Sequence, residues 1–254
     1  MIKKFLYTNL SCDNYLRILQ RSFFFLYKTG LLRCSPTFDD HYFVKKLIRK
    51  GDTVIDIGAN LGYYSLLFAR WVGKEGRVHS VEPVPVYNKI FGEKAKKYRN
   101  ITLYPCALGN EEKEVEFVSV VSSGYLRTGL SHIYHPEKDV NKTFGFRVSA
   151  PMKIASRLFK HIPKIDYIKI DIEGDEYMVL SDMKELIQKH KPIIQVERND
   201  PRIIDLLYQF GYTAYQTLHQ SLLQNLRNAV LFLINICKSL IYTNLPPPIY
   251  LALI

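Results

Sequence analysis

The stretch VIDIGANLGYYS, from Val54 to Ser65, decides the fold of this chain. Apolar residues surround Asp56 before the first glycine, and the pattern YYSLLFARWV follows the second glycine with helical periodicity. This order predicts a buried strand, a tight turn and a helix. A glycine-containing turn of this kind, placed between a strand and a helix, is a candidate ligand site.

The same alternation continues on both sides of this stretch. Strand RVHSVEP precedes helix VYNKIFGEKAKKY, and strand ITLYPCAL ends in the turn GNEEKE. Further on, strand DYIKIDIEG, helix DEYMVLSDMKELIQKH, strand PIIQVE, helix PRIIDLLYQFG and strand YTAYQTL follow one another. Strands that alternate with helices over short links predict an α/β fold with a doubly wound, mostly parallel sheet.

The region between residues 115 and 164 interrupts this rhythm. EVEFVSV and FGFRVSA are predicted to be strands that flank the long loop SSGYLRTGLSHIYHPEKD. Long loops inside compact domains are usually functional or mobile, so this loop is expected to contribute to substrate binding. The predicted organisation is a helical, basic and aromatic N-terminal extension (1–36), a catalytic domain (37–215) and a C-terminal apolar helix with a final strand (216–254).

The composition indicates a folded protein with an acidic partner or surface. The 254 residues include 47% hydrophobic residues, enough for a sizeable core, and the formal net charge is +11. The first fifty residues hold ten Lys and Arg against three Asp, so a net of +7 lies there. Nucleic acid, an anionic membrane surface and an acidic substrate are all compatible with this charge.

Two segments bear on localisation. LQRSFFFLYKTGLLR (19–33) has the composition of an interfacial helix, while AVLFLINICKSLI (229–241) is 13 residues long and a spanning helix needs about 20. No secretory signal is evident, so a cytoplasmic protein is expected, with peripheral membrane contact left open. The alternatives for the first helix are a cover over the cofactor cleft and a dimer contact; the oligomeric state stays open.

The four cysteines show no spacing typical of a disulfide framework or a zinc site.

The turn after the first strand indicates the type of cofactor. In doubly wound sheets ligands bind beyond the carboxyl ends of the strands. Gly58 and Gly62 give a GxxxG spacing, and Asn60 lies where a dinucleotide binder has the glycine that lets backbone approach a pyrophosphate. Glu82 ends the second strand 24 residues after Gly58, where an acid can accept the hydroxyls of a ribose. These features favour an adenosine ribose without a pyrophosphate, as in S-adenosylmethionine.

A second cluster of polar residues lies in DYIKIDIEGDE. Asp171 and Glu173 interrupt a strand that should be apolar on both faces, and they are predicted to lie about 7 Å apart on one side of it. Buried carboxylates are costly unless they have a purpose or a partner, so both are candidates to contact substrate. The alternative is a polar stripe paired by Lys169.

At this point the sequence resembles a known family. The segments GDTVIDIGANLGYYSLLFA, VHSVEPVP, ALGN and IDYIKIDIEGDEYMVL followed by IIQVE are similar to the FkbM family of S-adenosylmethionine-dependent methyltransferases. The resemblance implies a class I methyltransferase fold, with a seven-stranded, mostly parallel sheet and a reversed final hairpin. It also implies methylation of hydroxyl groups on polyketides, sugars or glycolipids.

The resemblance assigns roles to particular positions. Asp56, Gly58, Asn60 and Gly62 would surround the methionine part of the cofactor, Glu82 would bind the ribose, and Ala107 and Leu108 would lie near the adenine. Asp171 and Glu173 match the family's acidic strand end, and Glu197 matches its next acidic position. The sequence departs from the family at Lys153, Ile154 and Ala155, where members often have T-L-D, and the aspartate is therefore absent.

Methyl transfer to a hydroxyl benefits from a general base. Asp171 is the first candidate and Glu173 the second, with His132 or His135 from the long loop as alternatives. No convincing second and third ligands for a metal accompany Asp171, so no metal site is predicted.

Other functions remain open at this stage. An RNA 2′-O-methyltransferase would share the fold and cofactor, and the net charge favours it. A non-catalytic relative that keeps the fold as a binding module is a second alternative. The GxxxG spacing disfavours a nicotinamide oxidoreductase, and the absence of a (D/N)PPY motif disfavours base N-methylation.

Overall fold

The central sheet of the computed structural model has seven strands, and the structure describes residues 2–197, 200–216 and 250–253. From one edge to the other the strands are β3 (Ile101–Tyr104), β2 (Arg77–Val81), β1 (Thr53–Ile57), β8 (Tyr167–Ile170), β9 (Ile193–Val196), β11 (Tyr250–Leu253) and β10 (Thr213–Gln216). β11 is antiparallel to both of its neighbours, and the other pairings in this sheet are parallel. The predicted doubly wound sheet with a reversed final hairpin is therefore confirmed.

Helices cover the sheet because its central strands are apolar on both faces. They are α4 (Tyr63–Val72), α5 (Pro85–Ala95), α6 (Ala155–Phe159), α7 (Glu176–Asp182), α8 (Lys184–His190) and α9 (Pro201–Gln209). All four residues of β8 are buried, as are the last four of β1. The helix predicted over DEYMVLSDMKELIQKH is divided into α7 and α8, because Met183 has φ −80° and ψ 6°, outside the helical region.

A second sheet of four strands lies beside the first. Its order is β4 (Ala107–Gly109), β7 (Phe144–Ile154), β5 (Lys113–Ser122) and β6 (Tyr125–Ile133). The prediction of one long loop from residue 122 to 139 is wrong, since β6 occupies half of it. Ser123 and Gly124 both have positive φ, 55° and 77°, and form the two-residue turn that joins β5 to β6.

The predicted strand ITLYPCAL is also divided. β3 ends at Tyr104 and pairs with β2, whereas β4 begins at Ala107 and pairs with β7 of the second sheet. Pro105 lies between them and has no amide hydrogen to continue the ladder. The chain therefore passes from one sheet to the other at this proline, which positions β4 at the edge of the site described below.

The N-terminal extension consists of α1 (Ile2–Asn9), α2 (Cys12–Thr29) and two 3₁₀ turns, Leu31–Cys34 and Pro36–Phe38, followed by α3 (Asp39–Val44). Ser11 caps α2 through its hydroxyl, and Gly30, with φ 78°, ends it. The apolar face of α2 shares one core with α4, α5 and the second sheet. Its Gln20 also donates a 2.7 Å hydrogen bond to the carbonyl of Leu61. This packing corresponds to the alternative in which the helix covers the cleft.

The segment FDDHYFVKKLIRKG (38–51) is helical only over α3, and a turn leads from it to β1. The apolar segment 229–241, predicted to form a C-terminal helix, lies outside the described residues. Within the part of the chain that the structure describes, no helix combines the length and hydropathy required to span a bilayer.

Candidate active site

A cavity of about 320 Å³ lies at the carboxyl ends of β1, β2 and β8. Most of the residues predicted from the sequence line it: Asp56, Gly58, Asn60, Glu82, Ala107, Leu108, His132, Asp171, Glu173 and Glu197. Gly62 does not. The fold therefore brings together residues from four strand ends and from the second sheet at the position where doubly wound sheets bind ligands.

The two glycines of the turn are required by packing. Gly58 has φ +83°, and a Cβ there would lie 1.9 Å from the carbonyl oxygen of Asp171. Gly62 has φ +77°, and a Cβ there would lie 2.2 Å from Cδ2 of Phe91 on α5. Glycine is thus needed for the close approach of β1 to β8 and of α4 to α5, in addition to the left-handed backbone.

Asn60 connects the turn to the second sheet. Its φ is 52°, a conformation that asparagine tolerates better than most residues. The side-chain oxygen accepts the amide of Leu61 at 2.8 Å, and Nδ2 donates to the carbonyl of Thr128 on β6 at 2.9 Å. β6 is therefore fixed above the turn and forms one wall of the cavity.

Glu82 is held at the end of β2 by two backbone amides. Oε2 accepts from the amide of Asn60 and Oε1 from the amide of Val84, both at 2.8 Å. Burial raises the pKa of this carboxyl to about 7 although both hydrogen bonds oppose the shift. Each oxygen keeps a further lone pair for a hydroxyl donor.

The surroundings of Glu82 fit an adenosine. Cys106, Ala107 and Leu108 form an apolar wall of the same cavity on and beside β4. A carboxylate that can accept from a ribose diol, next to an apolar surface of this kind, matches the chemistry of a nucleoside. The residues present therefore fit the predicted cofactor, with Glu82 toward the ribose and β4 toward the base.

Asp56 is completely buried below the turn. Oδ2 accepts a 2.5 Å hydrogen bond from Oγ of Ser65, which in turn accepts one of 2.8 Å from Ser80. Oδ1 has no hydrogen-bond partner among the described residues, and Nζ of Lys169 lies 3.9 Å from it. Burial raises the pKa of Asp56, opposed by Lys169 and Ser65. Asp56 thus links β1 to α4 and to Lys169.

The acidic strand end differs from its prediction. β8 ends at Ile170, so Asp171 and Glu173 are not two residues of one strand. The amide of Asp171 still bonds to the carbonyl of Ile57 at 3.0 Å, but the following residues form a turn and Glu173 is exposed. The predicted separation of about 7 Å along a strand therefore does not apply, because the turn redirects the chain after Asp171.

Asp171 is instead paired with a cation and a second acid. Nζ of the buried Lys169 donates to Oδ2 of Asp171 at 2.9 Å, and Asp171 shares a hydrogen bond with Glu197, which follows β9. Burial alone would raise the pKa of Asp171, but Lys169 and the bond from Glu197 hold it below its usual value. Burial and the charge of Asp171 raise the pKa of Glu197 well above its usual range. The two shifts have opposite directions, so a proton held by the pair favours Glu197 over Asp171.

Sequence reasoning missed several residues of this site. His41 of α3 lines the cavity, stacks on Tyr64 at 4.1 Å between centroids, and has an Nδ1 without a hydrogen-bond partner in the described chain. Burial, followed by the charge of Lys169, lowers its pKa to about 3, so the ring is neutral. Lys3 of α1 and Arg127 of β6 also line the cavity. No local pattern distinguishes these residues from ordinary helix and loop positions.

His132 lies on β6 with both ring nitrogens directed at oxygen atoms. Nδ1 is 2.8 Å from the carbonyl of Leu130, and Nε2 is 2.9 Å from Oδ1 of Asp139. A general base must present a nitrogen lone pair to the substrate proton. These contacts make His132 a weaker candidate than Asp171.

Lys153, Ile154 and Ala155, which replace the T-L-D segment of the family, do not line the cavity. Ala155 is completely buried in the apolar core at the start of α6. The amide and hydroxyl of the next residue, Ser156, both bond to the carboxylate of Asp182, at 2.7 and 2.9 Å. The helix start is therefore supported by Asp182, and the polar residues of the cavity are unaffected.

A model of the family described as "Methyltransferase FkbM domain" matches residues 56–229, more than half of the chain. The chain therefore belongs to the FkbM methyltransferase family. It is a methyltransferase domain of the class that uses S-adenosylmethionine, as the sequence predicted.

Individual relatives are distant. The crystal structure of the FkbM methyltransferase from Methylobacillus flagellatus KT is 16% identical with a TM-score of 0.48, over 79% of this chain and 43% of that one. Aeropyrum pernix fibrillarin, with natively bound S-adenosyl-L-methionine, is 10% identical with a TM-score of 0.46, over 82% and 68%. The protein-L-isoaspartate O-methyltransferase of Ignicoccus hospitalis is 34% identical over 58 residues, which are 22% of this chain and 28% of that protein. The chain thus matches less than half the length of the first and third of these proteins.

Proposed function

We propose that this protein transfers a methyl group from S-adenosylmethionine to a hydroxyl group of a small molecule, a sugar or a glycolipid. One observation carries the proposal: Asp171, ionised and held by Lys169, faces the same cavity as Glu82. A carboxylate placed there suits proton removal from an alcohol, which is a poor nucleophile while protonated.

The cofactor assignment follows the lining of the cavity. Glu82 would accept the ribose hydroxyls, Ala107 and Leu108 would contact the adenine, and Gly58 and Asn60 would border the methionine part. The lining includes seven carboxylates, from Asp40, Asp56, Glu82, Asp171, Glu173, Asp175 and Glu197. When bound, the cofactor supplies a methyl group on a positively charged sulfur, and an acid-rich wall favours that charge.

Asp171 would act as the base. As the oxygen of the acceptor forms its bond to the methyl carbon and the carbon–sulfur bond breaks, the hydroxyl proton passes to Asp171. Lys169 favours the ionised form of Asp171 before transfer, and the hydrogen bond with Glu197, whose pKa is raised, acts in the same direction. Glu173, exposed in the turn after the strand, is placed to orient the acceptor instead. Holding the acceptor oxygen and the methyl group in the right geometry supplies much of the rate of a methyl transfer. The cavity walls formed by α3 and β6, which would hold them, therefore matter as much for the rate as the base does.

An RNA 2′-hydroxyl is the second candidate acceptor. Lys169, Asp171 and Glu197 gather in one cavity, and they match three members of the Lys, Asp, Lys, Glu set that RNA 2′-O-methyltransferases place around the hydroxyl. The seven acids of the lining outnumber its cations Lys3, Arg127 and Lys169, which disfavours a phosphate backbone running through the cavity. A small or glycan acceptor is therefore favoured.

The test is methyl transfer from S-adenosylmethionine labelled in its methyl group to a panel of sugars, glycolipids, small alcohols and RNA. Label appearing in an ether of an alcohol or glycan, with S-adenosylhomocysteine in equal amount, is the expected result. Label in RNA alone would favour the second candidate. Label on nitrogen or carbon would contradict hydroxyl methylation altogether.

A further inference from the structure

Two cations meet at one end of the cavity. Lys3 of α1 is only 5% exposed, and its Nζ lies 5.3 Å from the ring centroid of Tyr125. The guanidinium carbon of Arg127 lies 5.3 Å from the same centroid, and Nη1 donates a hydrogen bond to the Tyr125 hydroxyl. All three residues line the cavity, so two positive groups approach one aromatic ring within it.

Lys3 has no counter-charge among the residues that the structure describes. Among residues 2–197, 200–216 and 250–253, no carboxylate lies within 4 Å of its ammonium, and the ammonium donates no hydrogen bond to them. An unpaired ammonium that is almost fully buried is costly to maintain. Burial and the neighbouring charge of Arg127 accordingly lower the pKa of Lys3 to about 7. An anion bound beside it would remove this cost.

The other buried lysine of the cavity differs in this respect. Lys169 contacts Asp171 at 2.9 Å and Asp56 at 3.9 Å, and these acids raise its pKa even though burial opposes the shift. Lys169 therefore provides the counter-charge for Asp56 and Asp171 in the acidic part of the cavity. Lys3 lies at the part formed by α1 and β6, where it meets a second cation.

The cationic end is connected to the cofactor turn. Thr128 follows Arg127 on β6, and its carbonyl accepts the hydrogen bond from Nδ2 of Asn60. The turn, Lys3 and Arg127 all line the same cavity, so one bound molecule can contact both the turn and the two cations. Its terminal group would be anionic, because both protein groups are cations and donors.

We propose that Lys3 and Arg127 form a subsite for an oxyanion, a carboxylate or phosphate group, belonging to a molecule bound in this cavity. The inference rests on the proposed function and names a chemical feature of its ligands. Two sources share this chemistry: the carboxylate of the cofactor's methionine part, and an acidic group on the acceptor.

Calorimetric titration distinguishes the two sources. S-adenosylhomocysteine carries the carboxylate, and 5′-methylthioadenosine presents the same nucleoside without the amino-acid part. Sulfate, which stays dianionic across neutral pH, serves as a free oxyanion on the protein saturated with S-adenosylhomocysteine. The variant is Lys3→Met, which keeps an unbranched apolar chain. Lys4→Met is the matched control, because Lys4 is exposed on the same helix and does not line the cavity.

If the cofactor supplies the anion, Lys3→Met loses about tenfold or more in affinity for S-adenosylhomocysteine and keeps its affinity for 5′-methylthioadenosine. If the acceptor supplies it, both nucleosides bind as before, and sulfate binding is lost in Lys3→Met and kept in Lys4→Met. Lys3→Arg should restore the affected affinity, and Arg127→Gln should reproduce the loss.

Equal affinities of Lys3→Met and Lys4→Met for S-adenosylhomocysteine and for sulfate would overturn the subsite. Unchanged binding of 5′-methylthioadenosine shows that each variant is folded. Failure of the wild-type protein to bind either nucleoside would contradict the cofactor site instead. Sulfate binding to the ligand-free protein, compared between the same variants, would then still test the subsite separately.

Discussion

Lys169 and Asp171 form an ion pair of 2.9 Å across two residues at the end of β8. Side chains two residues apart on an extended chain point to the same side. In the sheet register Lys169 is also the partner of Asp56 on β1, and its Nζ lies 3.9 Å from that carboxylate. One buried ammonium thus connects the proposed base with the acid beneath the Gly58 turn, and its charge opposes the effect of burial on the pKa of both carboxyls.

Replacing the proposed base should separate binding from chemistry. We expect Asp171→Asn to reduce turnover by about 10²- to 10⁴-fold, because a positioned general base contributes that much. The affinity for S-adenosylhomocysteine should change less than about threefold, since no hydrogen bond of Asp171 is assigned to the cofactor. Single-turnover rates and calorimetry measure the two quantities.

The control for this variant is Glu75→Gln, an equivalent change at an exposed surface turn. Glu173→Gln should cost less than about tenfold in turnover, because Glu173 is assigned to orienting the acceptor. Turnover that is retained in Asp171→Asn and lost in Glu173→Gln would reverse the two roles.

Removing the shared cation should destabilise the fold. Lys169→Met leaves Asp56 and Asp171 without their positive partner, and breaking a buried ion pair costs about 3–5 kcal/mol. Urea denaturation at neutral pH measures the loss in free energy of unfolding. Addition of Asp56→Asn should recover part of it, because the double variant has one fewer buried negative charge. A double variant that is less stable than Lys169→Met alone would show that Lys169 is not the main partner of Asp56.

Cofactor binding should release protons near pH 6.5. The pKa of Glu82 is about 7 in the free protein, so most of this carboxyl is protonated at pH 6.5. Ribose hydroxyls donate to the ionised form, which lowers this pKa on binding and expels the proton. Release should approach zero above about pH 8, where Glu82 is already ionised before binding.

Calorimetry of 5′-methylthioadenosine in buffers of different ionisation enthalpy measures this release, without the proton uptake that a carboxylate bound beside Lys3 would add. In Glu82→Gln the release should vanish, and the affinity should fall about tenfold or more, because hydrogen bonds to a charged acceptor are lost. Equal proton release by wild type and Glu82→Gln would assign the titration to another group.

Replacement by alanine should cost less free energy of unfolding at Gly51, which faces open space, than at Gly58, which is packed against Asp171. At Gly51, φ is +87° and a Cβ would meet nothing within 4 Å, so Gly51→Ala should cost only the backbone strain of about 1–2 kcal/mol. At Gly58 the same strain is joined by a clash with the carbonyl of Asp171, which should add about 1–3 kcal/mol. Thermal or urea unfolding of both variants tests the difference. Equal losses in the free energy of unfolding of the two variants would mean that β1 and β8 can move apart at Gly58 without a free-energy cost.

The sequence by itself determined the central sheet and most of the residues that line the cavity at the ends of β1 and β2. β1, α4, β2, α5 and β9 lie where the apolar patterns predict them, because each is specified by local periodicity and by its glycine or proline boundaries. Glu82 and the Gly58 turn could be predicted because one strand–turn–helix unit places them together. The position of Asp171 in the cavity could be predicted because a carboxylate directly after an apolar strand is unusual.

Only the tertiary structure decided the other wall. The turn at Ser123 and Gly124 makes a strand of residues that have no clear alternation, because β6 is fixed by pairing with β5 and by the bond from Asn60 to Thr128. The approach of Lys3 to Tyr125, and of His41 to Tyr64, joins residues far apart in the chain. Burial and charge at such positions are properties of the folded surroundings. Local sequence patterns therefore specified the strands and turns, while long-range packing specified which charges face one another in the cavity.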